Sequence, residues 1–235
     1  MKRTLWIILG SIFLLLGGLF LAFEFSFSAD QTALAALASD ETVSVTETEY
    51  GWFFDGPGEE DAMVFYTGAF VEESAYAPML RLLAEQGLDV CLLNVPLKLS
   101  TIDMNQADKA IALHDYQRWY VGGHSLGGAV AAIYAAEHDT INGVILLAAY
   151  PTKPLVPKEL ELVIYGSEDG ILNRNRIKKG RQYASDNAVE FVIPGGNHAQ
   201  FGNYGRQIFD GEATISPEEQ QSQTAAFIMQ QLHAQ

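Results

Sequence analysis

From Ala62 to the C-terminus, short continuous apolar runs alternate with stretches whose apolar positions recur at helical spacing. The runs "AMVFYTG" (62–68), "LDVCLLNVP" (88–96), "RWYVGG" (118–123), "NGVILLAAY" (142–150), "LELVIYG" (160–166) and "VEFVIPGG" (189–196) read as strands, most of them buried on both faces. Between them, "ESAYAPMLRLLAEQG" (73–87), a segment within "NQADKAIALHDY" (105–116), "SLGGAVAAIYAAEH" (125–138) and "ILNRNRIKKGRQYA" (171–184) read as helices. "SPEEQQSQTAAFIMQQLHAQ" closes the chain as a helix, with Ser216 as N-cap and Pro217 at its first position. Ahead of this series, "VSVTETEY" (43–50) alternates in imperfect period two, and "DGPG" (55–58) is a turn. An opening antiparallel hairpin with 51–54 as its second arm is expected. Strands alternating with helices predict βαβ units: an α/β fold with a mostly parallel sheet and helices on both faces.

The first residues break this pattern. Lys2 and Arg3 precede Leu5 to Phe23, a run with no charged residue. About twenty apolar residues suffice to span a bilayer as a helix, and the apolar core of a cleaved signal peptide is usually only about 7–15 residues long. "FSFSA" offers small residues for cleavage, but Phe27 stands three before a cut after Ala29. The expectation is an uncleaved single-pass signal anchor over 1–24, a juxtamembrane linker over 25–42 and a domain over 43–235. The positive-inside rule puts that domain outside the cytoplasm. Secretion after cleavage is the alternative.

Charge narrows the partners. Fourteen Lys plus Arg against 29 Asp plus Glu give a formal charge of -15. A nucleic-acid partner needs a basic face and is not expected. The single cysteine, Cys91, excludes an intramolecular disulfide and lies in an apolar run, as a buried inert thiol would. No Cys/His cluster has zinc spacing, so no metal site is expected. Nothing in the sequence fixes an oligomeric state.

In a parallel sheet of this kind, ligands bind at the carboxyl ends of the strands. Gly123-His124-Ser125-Leu126-Gly127 stands at one such end and matches G-x-S-x-G. Ser125 would occupy a sharp strand-to-helix turn, with Gly123 and Gly127 avoiding collisions of side chain with backbone. The following helix would aim its first N–H groups at the same place, the Leu126 N–H among them. A tight turn with a packing serine is the bland alternative. A serine needs a base. Of the five histidines, His198 lies in "GGNHAQFG", just after a predicted strand; His114, His138 and His233 fall in or at the ends of helices, and the His124 side chain should point elsewhere. A carboxylate to orient the base is offered by Asp169 in "YGSEDG", again at a strand end, with Glu168 as competitor. The order Ser125, Asp169, His198 is the serine–acid–histidine order of one triad type. A second oxyanion donor is expected from the backbone of Gly68-Ala69-Phe70, with Ala69 preferred and Phe70 in reserve.

"VGGHSLGGAVAAIYAA", "LLAAYP", "VIYGSEDGI" and "GGNHAQFGNYG" together resemble the α/β-hydrolase superfamily from about Ala62 onward. The chain is most similar to a bacterial, often membrane-anchored, dienelactone-hydrolase-like "alpha/beta hydrolase fold-5" group. The resemblance implies Ser125 as nucleophile, Asp169 as acid and His198 as base. Two departures stand out. The nucleophile is serine where dienelactone hydrolases proper carry cysteine, and the early loop reads "TGAF" where relatives show a "PGG"-like sequence. Lid segments in this superfamily often precede the strand carrying the acid; here only "PTKPLVPKE" (151–159) is available, so an open site is expected. Phe70, Tyr76, Tyr150, Phe201 and Tyr204 are candidates either for its lining or for ordinary packing. The expected activity is hydrolysis of carboxylic esters or related small acyl compounds, without a cofactor. An acyltransferase or peptidase using the same triad, or a non-catalytic binding module on this fold, are the alternatives.

Overall fold

The computed structural model describes residues 26–155 and 158–234, with Trp6, Gly10, Gly17 and Gly18 from the N-terminal stretch. The apolar run expected as an anchor therefore lies almost wholly outside the described residues. Among those described, no helix is long and apolar enough to cross a membrane.

Among the described residues, eight strands form one sheet in the order β1-β2-β4-β3-β5-β6-β7-β8. They are β1 (Ser44–Thr48), β2 (Gly51–Asp55), β3 (Asp61–Tyr66), β4 (Leu88–Leu93), β5 (Arg118–His124), β6 (Gly143–Leu147), β7 (Leu160–Gly166) and β8 (Val189–Ile193). β1 and β2 make the expected hairpin, and β2 adds antiparallel to β4. All remaining pairings are parallel. The continuous apolar runs are the inner strands: every residue of β3, β4, β6 and β7 is buried. Helices on both faces cause this, and each large side chain so buried stabilises the fold by roughly 1.5–3 kcal/mol.

The helices are α1 (Gln31–Ala35), α2 (Ala77–Ala84), α3 (Ala107–Leu113), α4 (Leu126–Glu137), α5 (Arg174–Gly180) and α6 (Pro217–Leu232). α6 starts as expected, with Ser216 accepting the Glu219 N–H and Pro217 in the first turn. α4 is nearly all small or apolar because it packs in the crevice between β3, β5 and β6. No helix or strand lies between β6 and β7 among the described residues, so no cap domain covers the sheet edge.

The segment expected as a linker is built onto the domain. Phe27 bridges Val71 in parallel, donating its N–H to Phe70 O and accepting from Glu72 N–H. α1 is capped by the Asp30 side chain, and Ala33 is fully buried. Arg81 on α2 then holds the carbonyls of Ala36 and Ala38 and pairs with Asp40. The helix is too short to show a hydrophobic period, so its burial comes from tertiary contacts alone.

Candidate active site

The parallel register brings the loops after β3, β5, β7 and β8 to one edge of the sheet. Ser125 stands there, between β5 and α4, with φ 54° and ψ −117°. A non-glycine residue in such a conformation costs about 1–3 kcal/mol, and the surroundings must hold it. Its N–H donates to Leu147 O at 2.9 Å. The two flanking glycines are required. A Cβ on Gly123 would lie 2.5 Å from the Gly127 carbonyl carbon. A Cβ on Gly127 would overlap the carbonyl oxygens of Tyr66 and Thr67 at the end of β3. The close approach of α4 to β3 thus fixes the turn that presents Ser125.

Asp169 and His198 meet from different loops. His198 Nδ1 lies 2.8 Å from Asp169 Oδ2, and both side chains are buried. With the carboxylate accepting, Nδ1 carries the proton and Nε2 is left with a lone pair. That Nε2 is buried and has no hydrogen-bond partner among the described residues. The other Asp169 oxygen accepts from Ile171 N–H and Leu172 N–H at 2.9 and 2.8 Å, which fixes the carboxylate plane. Glu168 is exposed and, among the described residues, its carboxylate accepts only from the Ser167 hydroxyl, so of the two carboxylates Asp169 alone reaches the histidine.

Ser125 and His198 share the wall of an open cleft of about 400 Å³ with Leu126, Ala148, Tyr150 and Leu172. Thr152, Asn173 and Arg176 supply its polar side. Among the aromatic candidates only Tyr150 lines it. Phe201 is fully buried, its ring 5.5 Å from that of His124. Phe70 and Tyr204 stand outside the cleft wall, and Tyr76 is core. Phe70 also spends its N–H on Lys98 O at 2.8 Å, which removes it as a reserve donor. The Ala69 N–H has no acceptor among the described residues, and the Leu126 N–H opens the helix, where no intrahelical acceptor exists.

The side chain of His124 does not line the cleft, in keeping with its expected direction away from Ser125, and it supports the site instead. Its ring centroid is 4.6 Å from that of His198. Its Nδ1 shares a hydrogen bond with the Tyr76 hydroxyl at 2.9 Å, and the Tyr76 oxygen accepts the Gly68 N–H at 3.0 Å. Burial, and then the neighbouring His198, hold His124 well below the usual histidine value and keep it neutral. The loop before Ala69 is thereby tied to the residue before Ser125. Asp210 is the other support that the pattern of the sequence did not reveal. It accepts the backbone N–H groups of Gly170, His198 and Ala199, and such contacts leave no mark in local spacing.

The sequence model of the Alpha/beta hydrolase family matches residues 62–222, well over half the chain. No curated protein matches the chain in sequence. Among solved structures it is similar to TT1662 from Thermus thermophilus, with a TM-score of 0.58 and 15% identity over 82% of this chain and 99% of that one. Est1E from Butyrivibrio proteoclasticus matches with a TM-score of 0.56 and 16% identity, covering 82% and 100%. A dienelactone hydrolase from Anabaena variabilis ATCC 29413 matches with a TM-score of 0.57 and 14% identity, covering 84% and 98%. At such identities the structural likeness speaks for the fold, and the sequence match carries the assignment: the chain belongs to the alpha/beta hydrolase family.

Proposed function

We propose that the protein is a serine hydrolase that cleaves carboxylic esters or related acyl compounds through an acyl-serine intermediate. One observation carries this reading. A serine held in a strained turn shares a cleft wall with a histidine whose Nδ1 is locked on a buried carboxylate and whose Nε2 is unspent. His198 Nε2 takes the Ser125 proton as Oγ attacks the acyl carbon, and Asp169 stabilises the imidazolium that forms. The Leu126 and Ala69 N–H groups receive the oxyanion. His198 returns the proton to the leaving group, and water, activated by the same nitrogen, then releases the acid. This chemistry needs neither metal nor organic cofactor. The likeness to a dienelactone hydrolase fits a hydrolytic reaction. In this reading residues 1–24 anchor the chain in a membrane with the domain outside the cytoplasm.

The test uses the full chain in detergent beside Ser125→Ala, with a fluorophosphonate probe and p-nitrophenyl esters from acetate to palmitate. Labelling and turnover are expected in the parent only, with short acyl groups favoured by the open cleft. Folded parent protein that takes no label would overturn the reading.

A further inference from the structure

Beside the cleft, a second surface lies at the same sheet edge, where the N-terminal apolar run joins the domain. Ser26 and Phe27 are pinned between two loops. On one side, Lys98 Nζ reaches Ser26 Oγ at 3.3 Å, and Lys98 O holds the Phe70 N–H. On the other, Tyr204 packs its ring 5.3 Å from Phe27, and Asn203 O accepts the Asp30 N–H at 2.9 Å. Each of these loops turns large apolar side chains out to solvent. After β4 they are Leu97 and Ile102. After Tyr204 they are Ile208 and Phe209, 70% and 90% exposed. Leu97, Lys98 and Phe209 all have positive φ, so the tips hold strained backbone while displaying apolar side chains.

We propose that this sheet edge rests on the bilayer, with the two loop tips inserted at the interface beside the anchor and the cleft opening next to it. The inference relies on the anchor reading of residues 1–24. The chain allows little else once that reading holds. Only three residues lie between Phe23 and the pinned Phe27, and the four steps of chain span about 14 Å at full stretch. The edge carrying Leu97, Ile208 and Phe209 therefore cannot leave the neighbourhood of the membrane. Lys98 and Arg206 stand beside the apolar tips, as long cationic side chains do when their heads stay at the interface. The formal charge of -15 opposes adsorption to anionic lipid, so apolar insertion carries the contact and neutral phosphatidylcholine suffices.

The test places bimane on the full chain at Phe209→Cys or, on the opposite sheet edge just before β6, at Thr140→Cys. Both positions are exposed, and the native Cys91 is buried with its thiol pushed up to about 12, so the label goes to the introduced site. The protein is reconstituted in phosphatidylcholine vesicles with and without doxyl-labelled phosphatidylcholine and recovered by flotation. Emission at 209 is expected to shift blue and be quenched by the doxyl lipid, while emission at 140 is unchanged. Chain that floats with neither label quenched overturns the docking and leaves the anchor standing. Chain that does not float removes the anchor and the docking together. A blue shift at 209 without lipid quenching, growing with protein concentration, would give the tips to a second copy and overturn the proposal.

Discussion

The Asp210 carboxylate accepts the backbone N–H of His198 at 3.2 Å, and its same oxygen accepts the N–H of Gly170, the residue after Asp169, at 3.1 Å. Its second oxygen takes the Ala199 N–H at 2.9 Å. One side chain thus spans the loops that carry Asp169 and His198 without lining the cleft. Its work is positional, and a displacement of about 1 Å in a catalytic group can cost about 10²-fold in rate. Asp210→Ala is expected to lower kcat by about that factor with KM little changed, measured on a short p-nitrophenyl ester. A loss confined to thermal stability would assign Asp210 to folding alone.

The two neighbouring carboxylates after β7 give a direct contrast. Asp169 holds His198 Nδ1 and fixes its tautomer, whereas Glu168 faces solvent. Asp169→Asn should reduce kcat by about 10⁴, the order expected when the wrong tautomer is imposed. Glu168→Gln should leave turnover near that of the parent. Steady-state kinetics of both variants would reverse the assignment if the second lost activity and the first kept it.

Gly127 sits where α4 passes closest to β3, and the carbonyl oxygens of Tyr66 and Thr67 occupy the space of a Cβ. Backbone cannot yield as a flexible side chain does. Gly127→Ala should destabilise the domain by at least about 1–3 kcal/mol, the usual range for overpacking. Thermal melting would show it. Any folded fraction should also label more slowly at Ser125, because the helix can make room only by tilting the turn that carries it.

Most of the fold was legible because its signals are local. An inner strand such as β3 reads as a short unbroken apolar run, and β5 and α4 bracket a glycine-spaced serine. The meeting of Asp169 and His198 followed from their placement at strand ends. Other features depend on partners distant in sequence. Phe27 and α1 read as a juxtamembrane linker because it is contacts with residues distant in sequence, Val71, Asn203 and Arg81 among them, that order them. His124 follows the strand's alternation away from Ser125, yet the loop after β3 curls round to meet it through Tyr76. Asp210 recognises backbone, to which any residue type contributes equally, so no pattern of side chains marks it.

His124 also gives the domain an acid sensitivity. Its folded pKa lies below the unfolded value near 6.5, so the unfolded chain binds the proton first. The stability tied to this group is complete above that value and is lost as pH falls through it. Asp89 acts in the opposite sense: burial raises it to about 6, so its share of stability is complete below the ordinary carboxylate range and falls as pH rises toward 6. The contrast between parent and variant isolates the histidine. Melting temperature should fall less for His124→Asn than for the parent between pH 7.5 and 5.5, about one unit either side of the unfolded value. Parallel curves would show that the buried ring does not govern acid stability.

The packed segment from Phe27 to Asp40 decides how the domain can be cut and how it can be pulled. A fragment beginning at Asp40 would discard the strand-like pairing of Phe27 with Val71 and the fully buried Ala33, and would strip Arg81 of two of its carbonyl acceptors. A fragment that starts ahead of Phe27 keeps them. The same pairing makes the N-terminus a handle. Tension applied through the N-terminus enters the domain at Phe70 and Val71, next to Ala69, so a mechanical load there would be felt at that rim of the cleft before it reached the core of the sheet.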